Sequence, residues 1–266
     1  MEFILSLLRI VIAVAVIVLV GVFFFQEHLI FFPTKLSNDY QFKFKNPSEE
    51  KVVTIGNKEV HSLYFKAPNA PGVILYFHGN GGALDSWGDL ASDFIDKTGW
   101  SIWMVDYPGY GKSTGSIRSE AQLHDMALAI FAEIKKLPAQ KKVIIYGRSL
   151  GSGIAARLAS ESSVDGLILE TPYYSGKELA KIMFPLAPTF LVRYKFPSNE
   201  WVKNVKSPVL VVHGTEDQVI PYEQGQRLFE EIKASKRFLK IEGGSHNDLP
   251  EYDEYWNGVK KFLDGL

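Results

Sequence analysis

The sequence predicts an α/β domain with a mainly parallel sheet, preceded by one apolar N-terminal helix. From about residue 50, short runs rich in β-branched residues alternate with stretches whose apolar residues have helical spacing. Turn-forming Gly and Pro residues separate these runs, and 46% of the 266 residues are hydrophobic, which is enough for a sizeable core. Such alternation is typical of βαβ units, in which helices connect parallel strands.

The individual elements follow from these patterns. Seven apolar runs are predicted as strands: VHSLYF (60–65), VILYF (73–77), IWMV (102–105), KVIIY (142–146), GLILE (166–170), PVLVV (208–212) and RFLKI (237–241). Apolar residues at helical spacing predict helices over 83–97, 121–137, 149–160, 221–232 and 250–264. Ser119 begins S-E-A-Q and is predicted to cap the second of these helices. Because ligands of such sheets gather at the carboxyl ends of the strands, the residues that follow each run are the candidates for a site.

The N-terminal segment is apolar over a length that suits a lipid bilayer. Between Phe3 and Phe25, 23 residues are interrupted only by one serine and one arginine, and a bilayer core needs about 20. We therefore expect residues 1–33 to form a membrane anchor with its juxtamembrane segment, and residues 34–266 to form the folded domain.

The fate and orientation of this anchor follow from its flanks. A cleaved signal peptide would need small residues at its cleavage site, whereas GVFFF stands at 21–25. An uncleaved signal anchor is therefore favoured over cleavage. Arg9 favours a cytoplasmic N-terminus, whereas Lys35, Lys43 and Lys45 on the other flank favour the reverse. The prediction is a single-pass membrane protein whose domain lies on the non-cytoplasmic side.

Charge and cysteine content exclude several classes of function. The formal net charge of −1 argues against a nucleic-acid binder. The absence of cysteine excludes disulfides, thiolate metal sites and a cysteine nucleophile.

The pattern G-x-S-x-G, which marks the nucleophilic serine of many hydrolases, occurs twice. In GRSLG (147–151) a predicted strand runs directly into Gly147 and a predicted helix leaves at Ser149, so the serine would stand on a tight turn above the sheet. In GKSTG (111–115) about ten loop residues separate strand and helix, so Ser113 lies in the middle of a loop. Ser149 is therefore the predicted nucleophile.

A nucleophilic serine needs a base and an orienting acid. His246 follows the last apolar run in IEGGSHND, and Asp217 follows a strand in VLVVHGTEDQVIP. The order serine, acid, histidine is that of the α/β hydrolases. Glu170, at the end of GLILE, is the alternative acid because some members of that fold place the acid one strand earlier. Asp217 is favoured.

The oxyanion hole is expected to consist of backbone N–H groups. One belongs to Leu150, directly after the serine, and the other to Asn80 in the glycine-rich turn HGNGG that follows VILYF. His78 and His213 are expected to stabilise their own turns by hydrogen bonding rather than to act as the base.

HGNGG, DYPGYGKSTG, YGRSLGSG, HGTEDQVIP and GGSHND together resemble the α/β-hydrolase superfamily, and more narrowly its single-span, membrane-anchored abhydrolase-domain branch of serine hydrolases. The resemblance extends from about residue 30 to the C-terminus. It implies an eight-stranded, mostly parallel sheet with helices on both faces, a short helical lid, the triad Ser149–Asp217–His246, and esterase or thioesterase chemistry. It also implies that DYPGYGKSTG is a structural loop. This chemistry requires no metal or cofactor.

The apolar, proline-punctuated residues 171–207 occupy the usual position of a lid. Two interpretations stay open for its large side chains, which either pack on the core or line an apolar acyl pocket: Met183, Phe184, Leu186, Phe190 and Leu191. Pocket-lining residues, together with a membrane anchor, would favour lipid esters or acyl thioesters as substrates.

Two other functions compete with an esterase. A serine peptidase or aminopeptidase on the same fold would need a site for a charged amino terminus, and Glu178 and Glu200 are the acidic residues available in the lid. A non-enzymatic, membrane-tethered binding protein would be expected to lack a member of the triad, yet all three are present.

Overall fold

A computed structural model describes residues 1–137, 142–185 and 188–266 of the chain. Its strands, in chain order, are β1 (Phe32–Pro33), β2 (Ser48–Ile55), β3 (Lys58–Phe65), β4 (Val73–Phe77), β5 (Gly81–Gly82), β6 (Ser101–Val105), β7 (Val143–Arg148), β8 (Gly166–Glu170), β9 (Val209–Gly214) and β10 (Lys236–Ile241). Its α-helices are α1 (Glu2–Phe24), α2 (Gln26–Ile30), α3 (Leu84–Trp87), α4 (Leu90–Thr98), α5 (Glu120–Lys135), α6 (Leu150–Glu161), α7 (Gly176–Met183), α8 (Ser198–Trp201), α9 (Tyr222–Glu231) and α10 (Asp253–Asp264).

Eight strands form one mixed sheet in the order β10-β9-β8-β7-β4-β6-β3-β2. β3 runs antiparallel to both of its neighbours, and the remaining pairs are parallel. The expected eight-stranded, mostly parallel sheet is therefore confirmed, and all seven predicted strands belong to it. The eighth, β2, was not predicted as a strand because its sequence SEEKVVTI is polar, as suits a half-exposed strand at the sheet edge.

Helices cover both faces of the sheet, as expected. One face packs against α5, α6 and α9, and the other against α3, α4 and α10, so that apolar side chains fill two layers of core. Ser119 caps α5 as predicted, since its hydroxyl accepts a hydrogen bond from the N–H of Gln122 at 3.2 Å.

The helix predicted over 83–97 is divided into α3 and α4. Around Gly88 and Asp89 the backbone hydrogen bonds span three residues instead of four. The N–H of Ala91, for example, donates to the carbonyl of Gly88 at 3.1 Å. The ring of Phe44 packs against Gly88, where a β-carbon would overlap it. This packing comes from a distant part of the chain, so helical periodicity alone could not indicate the break.

The N-terminal helix α1 is long and apolar enough to cross a membrane, by length and composition, and none of the described side chains in its apolar window is buried. Some of the residues that follow α1, by contrast, are buried. Gln26 and Phe31 are each only 6% exposed, and β1 pairs in parallel with β5, as Phe32 with Gly81 and Pro33 with Gly82. Residues 25–34, here called the junction segment, therefore pack against the domain that follows.

Candidate active site

Parallel register brings the ends of the central strands to one edge of the sheet. Phe77 at the end of β4 pairs with Gly147, and Arg148 at the end of β7 pairs with Glu170 at the end of β8. The predicted site residues follow these ends, so the topology collects them in one place.

Ser149 connects β7 to α6 with an unusual backbone conformation, φ 52° and ψ −116°. Positive φ is uncommon for a residue with a side chain and costs on the order of 1–3 kcal/mol. Backbone hydrogen bonds hold it there, because the N–H of Ser149 donates to the carbonyl of Glu170 and its carbonyl accepts from the N–H of Ser152, both at 2.9 Å. The hydroxyl therefore stands at the tip of a tight turn.

The two glycines of GRSLG are required by close backbone packing. A β-carbon on Gly147 would overlap the carbonyl oxygen of Gly151 and lie 2.6 Å from the β-carbon of Ala155. A β-carbon on Gly151 would overlap the carbonyl oxygen of Phe77 on the neighbouring strand. The helix can therefore leave the sheet directly after the serine only because both positions lack a side chain.

The structure brings Ser149, His246 and Asp217 together. His246 Nε2 lies 3.1 Å from Ser149 Oγ, and His246 Nδ1 lies 2.7 Å from Asp217 Oδ2. Both distances allow hydrogen bonds, so the imidazole can accept the serine proton on one nitrogen while the carboxylate holds the N–H of the other.

Asp217 is held in place from two sides. Its Oδ1 accepts hydrogen bonds from the N–H groups of Val219 at 2.9 Å and Ile220 at 2.8 Å. Burial alone would raise the pKa of Asp217, but hydrogen bonds from His213, His246 and the Ile220 N–H outweigh it and hold that pKa below its ordinary value. The carboxyl is therefore ionised at neutral pH, as an orienting acid requires.

His213 contributes to this support more directly than the sequence indicated. Its Nε2 lies at hydrogen-bond distance, 2.9 Å, from the carbonyl oxygen of Ile220 and 3.2 Å from Asp217 Oδ2. Gly225 in α9 leaves room for the ring, because a β-carbon there would overlap His213 Nδ1. His213 lies four residues before Asp217, at the end of a strand, and this spacing is the signal that could have indicated the contact between their side chains.

Glu170, the alternative acid, is engaged elsewhere. Its carboxylate forms an ion pair with Arg148, with 3.2 Å between Oε1 and Nε, and accepts a hydrogen bond from Tyr255 at 2.9 Å. Arg148 in turn donates to the carbonyl oxygen of His246 at 3.2 Å and to Asn247 Oδ1 at 3.0 Å. The motif did not indicate Arg148 as a site residue. Arg148 occupies the first x of G-x-S-x-G, a position at which the motif accepts any residue type.

Gly79, which precedes Asn80, and Leu150 lie beside Ser149. A β-carbon on Gly79, the residue before Asn80, would lie 3.8 Å from the β-carbon of Ser149, and Leu150 is the first residue of α6. Within the described part of the chain, neither the Asn80 nor the Leu150 N–H donates a hydrogen bond to another protein group. Both donors are therefore free for a ligand oxygen.

The peptide that carries the Asn80 N–H has a fixed orientation. His78 Nδ1 lies 2.7 Å from the carbonyl oxygen of Gly79, which belongs to the same planar peptide unit as that N–H. In a trans peptide the carbonyl and the N–H point in opposite directions. The bond from His78 therefore directs the Asn80 N–H away from the His78 ring.

His78 also belongs to a buried pair with Asp106. His78 Nε2 lies 3.8 Å from Asp106 Oδ1, and both side chains are fully buried. Burial lowers the pKa of His78 to about 4 and raises the pKa of Asp106 to about 8. The pair therefore holds one proton, on Asp106, at neutral pH.

Ser113 of the second motif has a structural environment. Its hydroxyl donates to the carbonyl of Asp106 and accepts from the N–H of His61, both at 2.8 Å. The neighbouring Lys112 is buried and pairs with Glu50 at 2.9 Å. These bonds fix the loop against β2 and β3, which agrees with its interpretation as a structural loop.

Comparison with known proteins agrees with this fold. A sequence model of the α/β-hydrolase fold family matches residues 72–206, half of the chain. The chain belongs to the α/β-hydrolase family. Among curated relatives, this hydrolase is 34% identical over 215 residues to "Alpha/beta hydrolase domain-containing protein aho-3" of Caenorhabditis elegans, a match that covers 78% of this chain and 62% of that protein. It is 33% identical over 212 residues to human "Alpha/beta hydrolase domain-containing protein 17B", covering 78% of this chain and 72% of the relative.

Solved structures share the fold of this α/β hydrolase. Est1E from Butyrivibrio proteoclasticus, with ferulic acid bound, superimposes with a TM-score of 0.70 at 19% identity, covering 81% of this chain and 98% of that one. An esterase from Pyrococcus furiosus superimposes with a TM-score of 0.68 at 16% identity, covering 88% and 98%. Likeness at these identities shows the fold, and the site carries the chemistry.

The segment between β8 and β9 of the hydrolase contains α7 and α8. Met183 and Phe184 are more than half exposed, and Phe190 is 80% exposed, so these three side chains do not pack on the core. Leu191 is partly buried, and Leu186 lies outside the described residues. Within the described ranges, no group of three or more His, Asp or Glu side chains is arranged to hold a metal ion.

Proposed function

We propose that this α/β hydrolase is a membrane-anchored serine hydrolase that cleaves carboxylic esters or thioesters with an apolar acyl group. The observation that carries the proposal is the continuous hydrogen-bonded line from Ser149 Oγ through both nitrogens of His246 to Asp217, at 3.1 and 2.7 Å. The strained turn at Ser149 and the two free N–H groups of Asn80 and Leu150 support the same chemistry.

The reaction has two halves. His246 takes the Ser149 proton as Oγ attacks the acyl carbon, and the negative oxygen that forms accepts hydrogen bonds from the N–H groups of Asn80 and Leu150. His246 then gives its proton to the leaving alcohol or thiol, and the acyl group remains on Ser149. Water repeats the sequence, which releases the acid and restores the serine.

Two features of the chain support an apolar acyl group. α1 would hold the domain at a bilayer, and the segment over residues 171–207 would act as a lid whose exposed Phe184 and Phe190 face away from the core. A peptidase finds less support, because Glu178 lies 3.7 Å from Arg227 and Glu200 lies 3.1 Å from Lys203, so neither carboxylate is an uncompensated site for an amino terminus.

Fluorophosphonate labelling of the full-length protein in detergent tests the nucleophile. The wild type is expected to label and to hydrolyse p-nitrophenyl esters, and Ser149→Ala is expected to do neither. Ser113→Ala is the matched control from the second motif and should label like the wild type per folded molecule. A wild-type protein that neither labels nor hydrolyses any ester or thioester would favour a binding protein instead.

The length of the acyl group is tested with p-nitrophenyl esters from acetate to palmitate. We expect kcat/KM to rise with chain length through the medium-chain esters, because each buried methylene contributes about 0.8 kcal/mol. Turnover of acetate with none of the longer esters would contradict the apolar acyl site.

A further inference from the structure

The loop that carries Asn80 depends on contacts from outside it to hold its shape, among them those of His78 with the Gly79 carbonyl and of Trp87 with the Gly81 carbonyl. Three of the four residues over 79–82 are glycine, and glycine has the largest backbone freedom of any residue. Gly82 has a φ of 85°, in the left-handed region. A donor for a developing oxyanion must nevertheless be fixed before the reaction, because catalysis depends on preorganised N–H groups.

The junction segment supplies this support. We propose that residues 25–34 position residues 79–82, here called the oxyanion loop, for catalysis. The Asn80 side chain is the positioning residue that joins these two segments; this inference rests on the proposed function. The side-chain amide of Asn80 donates to the carbonyl oxygen of Ile30. Next to it, β1 pairs with β5, and the N–H of Thr34 donates to the carbonyl of Gly82 at 3.0 Å.

Asn80 is also held from the opposite side. The hydroxyl of Tyr110 lies 2.7 Å from the backbone carbonyl of Asn80 and 3.2 Å from its side-chain Oδ1. The two sides of the Asn80 amide therefore have separate partners, Ile30 for the NH₂ group and Tyr110 for the oxygen. With His78 fixing the preceding peptide, the free N–H is left with one orientation.

The other end of the junction segment is attached to the proposed lid. Gln26 donates to the carbonyl of Leu191 at 2.7 Å and accepts from the N–H of Arg193 at 2.9 Å. Glu27 forms an ion pair with Arg193 at 2.9 Å, and the ring of Phe31 packs edge-on against Tyr194 with 5.0 Å between centroids. The segment is thus a fixed connector between the end of α1, the lid and the oxyanion loop.

Only a few residues connect α1 to the oxyanion loop. α1 ends at Phe24 and α2 begins at Gln26, so a single residue separates the apolar helix from a helical turn whose last carbonyl, that of Ile30, binds Asn80. A shift of the anchor relative to the domain would act on these bonds first. The oxyanion hole therefore depends on residues that precede the domain boundary predicted at 33 and 34.

The test compares three variants of the full-length protein in detergent. Asn80→Ala removes the side-chain bonds to Ile30 and Tyr110 while keeping the backbone N–H of residue 80. Thr34→Pro removes only the N–H that binds Gly82 and so tests the junction segment by itself. Leu36→Pro is the matched control, because Leu36 lies outside the junction segment and its N–H binds the carbonyl of Gly111 at 3.0 Å rather than the oxyanion loop. The measurements are kcat and KM for a p-nitrophenyl ester, per active site titrated with fluorophosphonate, together with Tm.

We expect kcat to fall roughly tenfold to hundredfold in Asn80→Ala and in Thr34→Pro, with KM within about twofold, because an oxyanion donor acts mainly in the transition state. Leu36→Pro should keep the wild-type kcat. Wild-type kcat in both test variants, or an equal loss in the Leu36→Pro control, would overturn the inference. An unlabelled and inactive wild type would instead overturn the proposed function, so the two failures can be told apart.

Discussion

Arg148 connects the turn at Ser149 to the loop that carries His246, since its Nη2 donates to the carbonyl oxygen of His246 at 3.2 Å while its Nε faces Glu170 at 3.2 Å. Burial would lower the pKa of Arg148, but the charge of Glu170 outweighs it and keeps that pKa above its ordinary value. The arginine is therefore a permanent cation that ties His246 to the residue before Ser149.

This connection predicts different outcomes for two substitutions of Arg148. Arg148→Lys keeps a cation for Glu170 but loses the fork to His246 and Asn247, so kcat should fall roughly tenfold to hundredfold with little change in Tm. Arg148→Met leaves Glu170 buried without its partner and should cost about 3–5 kcal/mol of stability. Ester kinetics and thermal melting separate the two effects, and unchanged kcat in Arg148→Lys would show that the bond to His246 does not position the base.

Asp217 and Glu170 are distinguished by neutral substitutions that preserve shape. Asp217→Asn should lower kcat by about 10⁴-fold, because the amide cannot hold the correct imidazole tautomer. Glu170→Gln should change kcat by less than about tenfold and mainly lower Tm, since it breaks a buried ion pair. The reverse pattern in esterase assays of the two variants would identify Glu170 as the orienting acid.

The buried pair of His78 and Asp106 predicts how stability depends on pH. In the unfolded chain the histidine releases its proton near pH 6.5, whereas the folded pair keeps one proton until Asp106 ionises at a pKa of about 8. Between pH 6.5 and 8 the folded state therefore binds more protons, so the stability from this pair should fall as pH rises. Below pH 6.5 both states hold one proton, down to about pH 4, and the pair contributes no slope.

Asp106→Asn should change this profile in a defined way. The variant cannot hold the carboxyl proton, so its Tm relative to wild type should be lowest at the acid end of the range, near pH 5, and should rise steadily towards pH 8. Tm measured across this range checks the prediction, with the exposed Asp125→Asn as the control. A constant difference in Tm between variant and wild type would mean that Asp106 is already ionised in the folded protein.

Gly151 is expected to tolerate no side chain. Alanine would normally stabilise a helix by up to about 1 kcal/mol relative to glycine, but here its β-carbon would overlap the carbonyl oxygen of Phe77. Gly151→Ala should therefore destabilise the fold, by about 1–3 kcal/mol, and displace Ser149. Gly265→Ala is the control, because a β-carbon there makes only ordinary contacts at 3.5 Å. Equal Tm values for the two variants would contradict the packing argument.

Local sequence patterns were sufficient to predict those parts of the candidate site that depend on adjacent residues. The strand that enters Gly147 and the helix that leaves at Ser149 are visible in sequence, and strand ends indicated the vicinity of Asp217 and His246. Patterns failed where a distant partner decides the outcome. The polar edge strand β2, the break at Gly88 and the bonds of Arg148 each depend on residues far away in the chain, which periodicity does not record.

If α1 lies in a bilayer, the shortness of α2 would keep the site close to the membrane. Five helical residues rise by about 7.5 Å, and they separate the end of α1 from the strand that borders the oxyanion loop. With α1 in a bilayer, Ser149 would lie at a nearly constant height above the headgroups. An ester near the headgroups would then be within reach of Ser149.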